Sequence, residues 1–372
     1  MLSPADEFPI HQTPQPISWP GTSDRNFYDR SYFNAHDRTG EIFLITGIGY
    51  YPNLGVKDAF VLINRGGTTH TAVHLSDAID ADRLNQRVGA YAVDVVEPLR
   101  RLHLTLDDTH GIAVDLTFTG LFGAHRELPH IMRTGTRVTL EAQRFAQVGS
   151  WSGSITVDGT EIAVDPEVWI GSRDRSWGIR PVGEPEPAGR PADPPFEGMW
   201  WNYIPMAFDD FQLVLIVQEE PDGYRILNDC TRIWRDGRVE QLGWPRIVVH
   251  YRSGTRIPDG ATITATDASG APVTLEVSSL LAAPIHVGGG YGGDSDWTHG
   301  VWRGAGFTER RTYDLADSAV AGRIPFGVID HVGRAVCTEA DGTQRQGWGL
   351  FEHGALGRHD PSGLADWLSV AP

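Results

Sequence analysis

The sequence predicts an all-β protein made of two similar β-domains in tandem, each a sandwich or a barrel. Three observations carry this. Apolar residues come in short runs alternating with polar neighbours, the period of a half-buried strand. Gly (43) and Pro (24) cut these runs at short intervals, and in the first half only Asp77–Val88 has a helical pattern, of weak periodicity. Midway, Gly183-Glu-Pro-Glu-Pro-Ala-Gly-Arg-Pro-Ala-Asp-Pro-Pro195 can hold neither helix nor ladder, because proline fixes φ and removes donors. On both sides of it the same order recurs: aromatic cluster, buried strand, Pro/Gly turn, second strand. With 372 residues, the chain also exceeds what one core usually covers. The expected division is a lead-in over 1–23, a β-domain over 24–182, a linker over 183–197 and a second β-domain over 198–372.

The elements follow in chain order. Phe27, Tyr28, Tyr32 and Phe33 form an aromatic cluster ahead of Glu41–Tyr51, a buried strand bounded by Pro52-Asn53. Asp58–Asn64 is its hairpin partner. Leu102, Leu104 and Leu106 alternate with polar residues, as do Ile112, Val114, Leu116 and Phe118 beyond the turn Asp107-Asp-Thr-His-Gly111. Trp151–Val164 reads as another hairpin, with Trp151, Gly153, Ile155 and Val157 on one face and Asp158-Gly159 as its turn. In the second half Met199–Pro205 is aromatic-rich, Phe211–Val217 is a buried strand, and Tyr224–Ile233 follows a Pro-Asp-Gly turn. Ala261–Ala265 pairs with Val273–Val277 across Asp267-Ala-Ser-Gly270.

Between the halves stands Gly171-Ser-Arg-Asp-Arg-Ser-Trp-Gly-Ile-Arg180, which packs charge and a tryptophan against a domain seam, a common place for ligand sites. Two roles are open to it. In the structural one Asp174 pairs with Arg173 or Arg180 while Trp177 fills the junction; this is the role expected of the arginines, and it makes Asp174→Asn destabilising. In the functional one Asp174 gives or takes a proton and Trp177 forms an aromatic wall.

Charge narrows the function classes. With 31 Lys+Arg against 48 Asp+Glu, the formal net charge is −17 and no basic run occurs, which argues against nucleic acid and anionic membranes. Cys230 and Cys337 are too few for a disulfide framework and are expected as buried thiols. The first residues have no basic and apolar leader pattern, and no apolar run is long enough to span a bilayer, so the expectation is a cytoplasmic protein without membrane insertion. Oligomeric state is left open.

Metal and phosphate sites find no support. His70 and His74 lack a HExxH phrase, and Gly288-Gly-Gly-Tyr-Gly-Gly-Asp294 lacks the Gly-Lys-Ser/Thr ending of a phosphate cradle. No Gly-x-Ser-x-Gly elbow occurs. Two acid–histidine pairs remain, Asp330-His331 and Glu352-His353. A carboxylate beside an imidazole suits acid–base work, yet neighbours on a strand point to opposite faces, so one member of each pair should face a cavity.

The phrase Gly171–Arg180, preceded by Trp151-Ser-Gly-Ser-Ile-Thr-Val-Asp-Gly159, resembles the hydroxyneurosporene synthase/AttH-like family; Gly349-Leu-Phe-Glu-His-Gly354 adds to the likeness. That superfamily of tandem lipocalin-like proteins includes carotenoid 1,2-hydratases and intramolecular Diels–Alder cyclases. The resemblance covers most of the chain in layout, with its specific phrase in Trp151–Arg180. It implies two lipocalin-like β-domains, a ligand cavity in or between them, and neither metal nor organic cofactor. Relatives often carry histidine where this chain has Arg175, so histidine chemistry is not carried over to that position.

The resulting expectation is a lyase or isomerase, a hydratase or cyclase, acting on a hydrophobic terpenoid- or polyene-like molecule. Asp174 or Asp330 is the candidate acid, since a desolvated carboxyl of raised pKa can protonate an alkene. His331 or His353 would orient water. Trp177, Trp200, Trp201, Asn202, Tyr203, Tyr291, Trp297 and Glu352 are the candidate walls, their aromatic faces stabilising a developing cation; a pericyclic cyclase would need the walls alone. Two alternatives stand beside this: a carrier without chemistry, and a carbohydrate-active β-sandwich with paired carboxylates across a cleft.

Overall fold

The computed structural model describes residues 7–10, 18–184, 189, 191–292 and 294–372. Parts of the lead-in and of the 183–197 segment, and residue 293 of the glycine-rich loop, therefore lie outside the described residues.

The first half forms β1 (Phe27–His36), β2 (Ile42–Tyr51), β3 (Val56–Arg65), β4 (Thr69–Ala78), β5 (Gln86–Val88), β6 (Tyr91–Glu97), β7 (Arg101–Thr109), β8 (Ile112–Gly120), β9 (His125–Arg126), β10 (His130–Thr134), β11 (Arg137–Val157), β12 (Thr160–Val164) and β13 (Ile170–Ile179). The second half forms β14 (Gly198–Ala207), β15 (Phe211–Glu219), β16 (Arg225–Trp234), β17 (Val239–Gln241), β18 (Gly243–Tyr251), β19 (Pro258–Thr266), β20 (Pro272–Pro284), β21 (Phe307–Asp314), β22 (Ile329–Glu339) and β23 (Gln344–Gly357). They build two curled, nearly closed antiparallel sheets, ordered β21-β4-β3-β2-β1-β13-β11-β8-β7-β6-β5 and β17-β16-β15-β14-β23-β22-β20-β19-β18. Each sheet runs outward as a meander from its first long strand and brings its last one back beside it, β13 on β1 and β23 on β14. The aromatic clusters at 27–33 and 199–205 are thus strands themselves, at the same place in each sheet. One strand crosses over: β21 pairs with β4 and closes the edge of the first sheet.

Strand composition follows from this arrangement. Each sheet wraps a core of its own, Phe33, Leu44, Leu104, Leu116 and Trp151 in the first, Ile204, Leu215, Leu275 and Phe351 in the second. The outer faces of β1–β3 pack on those of β14, β15 and β22 through Phe43, Ile45, Leu62, Ile216 and Val332. Strands at this contact are buried on both sides, so β2 and β15 read as continuous apolar runs. Strands away from it, such as β7 and β8, alternate. Both cysteines are buried, in the second core.

Local chemistry sets the turns. His110-Gly111 and Asp158-Gly159 both hold φ above zero, at 55°, 81°, 51° and 78°, the conformation of tight hairpin turns that match strand twist. Gly171 is required by close approach: a Cβ there would stand 1.9 Å from the carbonyl oxygen of Asn34, which accepts the Trp151 indole N–H at 2.8 Å. The helix expected over Asp77–Val88 is absent. Its aspartates cap local backbone instead, Asp80 accepting from the Asp82 N–H at 2.9 Å and Asp82 from the Leu84 N–H at 3.1 Å, and such side-chain bonds compete with helical ones.

Candidate active site

A cavity of about 210 Å³ lies between the two sheets. Side-chain alternation decides what reaches it. On β1, Tyr28, Arg30 and Tyr32 share the seam face at every second position. Antiparallel register sets Asp174 of β13 level with Tyr32 and with Ala146 of β11, and Ser176 level with Arg30 and Arg144. Across the seam, Tyr203, Glu352 and Asp330 form a level row on β14, β23 and β22. Tyr32 joins the two rows, donating its hydroxyl proton to Asp330 Oδ2 at 2.5 Å.

Asp330 and Glu352 form a buried carboxyl pair. Glu352 Oε1 accepts the Trp201 indole N–H, and the remaining Asp330 oxygen has no donor among the described residues. Burial first, then the Glu352 charge, holds Asp330 well above the carboxylate range; burial also raises Glu352, opposed by hydrogen bonds from Asp330 and Trp201. Two carboxylates cannot both ionise at such proximity, so Asp330 keeps the proton and presents it to Glu352. Glu352 is the member of the pair that faces the cavity.

Asp174 differs. It lines the cavity and makes neither hydrogen bond nor ion pair with a described residue. Burial pushes its pKa up to about 7, with the Glu127 charge adding to the rise and Arg144 opposing it. Arg144 itself pairs with Glu127 at 3.1 Å. His130, stacked on Trp201 at 5.9 Å, is depressed to about 3 by burial and by Arg144 and Arg180, so it stays neutral. A raised folded-state value means Asp174 favours folding below its unfolded pKa and loses that contribution as pH rises through about 7. Asp174→Asn should therefore melt with wild type near about pH 4. Above neutrality it should melt as high or higher. A variant that melts well below wild type under alkaline conditions would show that the charged carboxylate is held by the fold.

The expected site residues divide by strand parity. Asp174, Trp201, Tyr203, Tyr291 and Glu352 line the cavity, and Asp330 stands behind Glu352. Trp177, one of the expected walls, points into the first barrel beside Phe145, because it is an odd step from Asp174. Trp200 and Asn202 face the second barrel, where Trp200 stacks on His359 at 5.0 Å and Asn202 accepts from His353 Nδ1 at 3.1 Å. His353 also accepts from the Tyr251 hydroxyl at 2.9 Å, and His331 sits against Ser279 and Phe351. Burial lowers both to about 3 and so keeps them neutral, and neither is among the residues that line the cavity. Trp297 lies flat on His74 at 4.5 Å and anchors the 288–300 loop. Arg173 is structural, as expected, with Glu7 as its partner in place of Asp174. Arg180 instead lines the cavity over the Tyr28 ring.

Sequence reading missed Arg30, Arg144, His130 and Tyr28 as cavity residues. The signal for β1 was present: Tyr28, Arg30 and Tyr32 stand at i, i+2 and i+4, on one face of the strand. The cation-stabilising walls need a further correction, because Arg30, Arg144 and Arg180 lie over Tyr291, Trp201 and Tyr28 at 4.9, 5.5 and 5.4 Å. Among the described residues no group of three or more His, Cys, Asp or Glu could hold a metal ion, and no helix is long and apolar enough to cross a membrane.

Residues 2–365 match the model of a family of unknown function, DUF8625. No curated protein matches the chain by sequence. Among solved structures, an AttH protein from Nitrosomonas europaea is similar at 12% identity over 88% of this chain and 92% of that one, with a TM-score of 0.52. Kievitone hydratase from Nectria haematococca gives 13%, 87% and 88% with a TM-score of 0.50. CghA, solved with Sch210972, gives 14%, 89% and 88% with a TM-score of 0.53. The likeness is one of fold, the two-domain lipocalin-like fold that the resemblance of the sequence implies.

Proposed function

We propose that this protein, which belongs to the DUF8625 family of unknown function, is an acid–base lyase or isomerase that adds water across, or cyclises, an unsaturated small molecule held between its two sheets. One observation carries the reading: a cavity faced both by a carboxyl poised near neutrality, Asp174, and by Glu352, the member of a carboxyl pair that gives up its proton before Asp330 does. Two titratable groups driven apart by their surroundings divide the roles of acid and base. The neighbour of this fold named as a hydratase fits the same reaction class.

In hydration the Asp174 hydroxyl proton passes to one alkene carbon. A water oxygen bonds to the other, and Glu352 takes the proton that this water loses. The product is the alcohol; solvent exchange returns the proton from Glu352 to Asp174. Arginines over three of the rings make a free cation costly, which favours bond formation concerted with proton transfer. For cyclisation an internal alkene replaces water as the nucleophile, and Glu352 takes a proton from the carbon beside the new electron-poor centre, which restores a double bond and gives an isomer of the substrate. The apolar side of the cavity, with Met132, Leu140, Met199, Ile285 and Val328, suits a substrate with a hydrocarbon portion.

The test is incubation of the protein with a lipid-soluble metabolite extract in D₂O, followed by mass spectrometry. Hydration adds one D₂O to a substrate, and proton-initiated cyclisation replaces one hydrogen by deuterium with no oxygen gained; either product should vanish with Asp174→Asn. A molecule retained unchanged would make the protein a carrier. A product free of deuterium that also forms with the variant would leave only shaped walls at work.

A further inference from the structure

Two arginines of this cavity hold no carboxylate in an ion pair among the described residues. The other buried arginines near it hold carboxylates: Arg144 holds Glu127, Arg173 holds Glu7 and Arg175 holds Asp29. Arg30, only 6% exposed, has an imidazole as its hydrogen-bond partner, its Nη2 standing 2.9 Å from His299 Nε2. His299 is neutral, lowered to about 4 by burial and by the Arg30 charge, so it accepts from the guanidinium without compensating it. Asp58 lies behind that ring, 3.7 Å from its other nitrogen. Arg180 rests over Tyr28, and no carboxylate of the described residues pairs with it. Both guanidiniums open into the same space, lined also by Tyr28 and Tyr291.

A guanidinium whose donors meet no carboxylate keeps hydrogen-bonding capacity for a ligand, and its planar fork fits a pair of oxygens. We propose that Arg30 and Arg180 form a subsite for an anionic oxygen group of the substrate, a carboxylate or the enolate of a 1,3-dicarbonyl, with the hydrocarbon portion directed toward Met132, Met199 and Ile285. His299 is a positioning residue that aims Arg30. The inference rests on the cavity being the substrate site and names the class of molecule it takes. It also bears on the reaction: an anion beside Asp174 disfavours a second negative charge there, and so keeps the acid protonated until the alkene takes its proton.

The experiment reads binding without turnover, by isothermal titration of the full chain with three rigid probes. These are 2-naphthoate, its neutral isostere 2-naphthamide, and ionised 5-phenylcyclohexane-1,3-dione. At least one anion should bind tenfold or more tighter than the amide, about the worth of a charge-assisted pair; which anion wins identifies the group. Arg180→Gln and Arg30→Gln should each reduce that preference to about twofold or less. Arg180 is only half-buried, so its variant tests the subsite even if Arg30→Gln folds poorly. Equal binding of anion and amide, no binding of any probe, or a preference that survives Arg180→Gln would overturn the proposal. Failure here would leave the acid–base reading intact, since the probes offer nothing to hydrate, whereas loss of D₂O incorporation with anion binding retained would count against that reading alone.

Discussion

Replacing Asp174 by asparagine is expected to lower turnover by a factor of about 10²–10⁴, the usual worth of a positioned general acid, without loss of fold. Asparagine keeps the shape of the side chain and removes the transferable proton. The stability half of this expectation reverses what the motif alone predicts. Read as sequence, Asp174 between Arg173 and Arg175 should be an ion-pair partner, and losing its charge should cost the fold. The strand turns both arginines to one side and Asp174 to the other, where no described residue holds it. Glu352→Gln is the companion variant. It removes the base and leaves one amide oxygen where two carboxylate oxygens served the Trp201 N–H and the Asp330 proton, so it should impair both turnover and melting temperature. Activity retained in Asp174→Asn at wild-type kcat would exclude Asp174 as the acid; a collapse in melting temperature would return it to the structural role.

Fold class was legible because it rests on local pattern: strand alternation, Asp-Gly and His-Gly turns, and continuous apolar runs where a strand is buried on both faces. The site was legible only in part. Parity along a strand is readable, and it correctly separates Asp330 from His331 and Glu352 from His353, but it does not say which side is the seam. Trp177, Trp200 and Trp297 are good walls by residue type and face the wrong way. Arg30 and Arg144 come to Asp174 through register, the pairing of β1, β13 and β11, which no local signal specifies. Glu7 is the extreme case. It lies far from Arg173 in the chain, in the lead-in read as irregular, yet it is 2% exposed inside the first barrel.

That burial makes Arg173→Met the most damaging single change expected. Arg173 donates to Gln147 Oε1 from Nε at 3.0 Å and from Nη2 at 2.8 Å, pairs through Nη1 with Glu7, and lies over the rings of Phe118 and Phe145. Glu7 in turn accepts the Leu99 N–H at 2.6 Å, and the Gln147 amide donates to the carbonyls of Leu99 and Phe122 at 2.9 and 2.7 Å. Methionine fills most of the volume but leaves the Glu7 charge buried and uncompensated, a loss of about 3–5 kcal/mol. Against a total stability of about 5–15 kcal/mol, that is about a fifth or more for a typical domain. Lysine should rescue little, because a point charge cannot contact Gln147 and Glu7 together as the fork does. The diagnostic is the double variant: Glu7→Gln with Arg173→Met should recover part of the loss, since the unpaired charge is then gone. Urea denaturation of wild type, single and double variants measures this directly. Equal midpoints for wild type and Arg173→Met would mean that water reaches Glu7, and that the charged cluster of β13 serves neither the first barrel's core nor its closure.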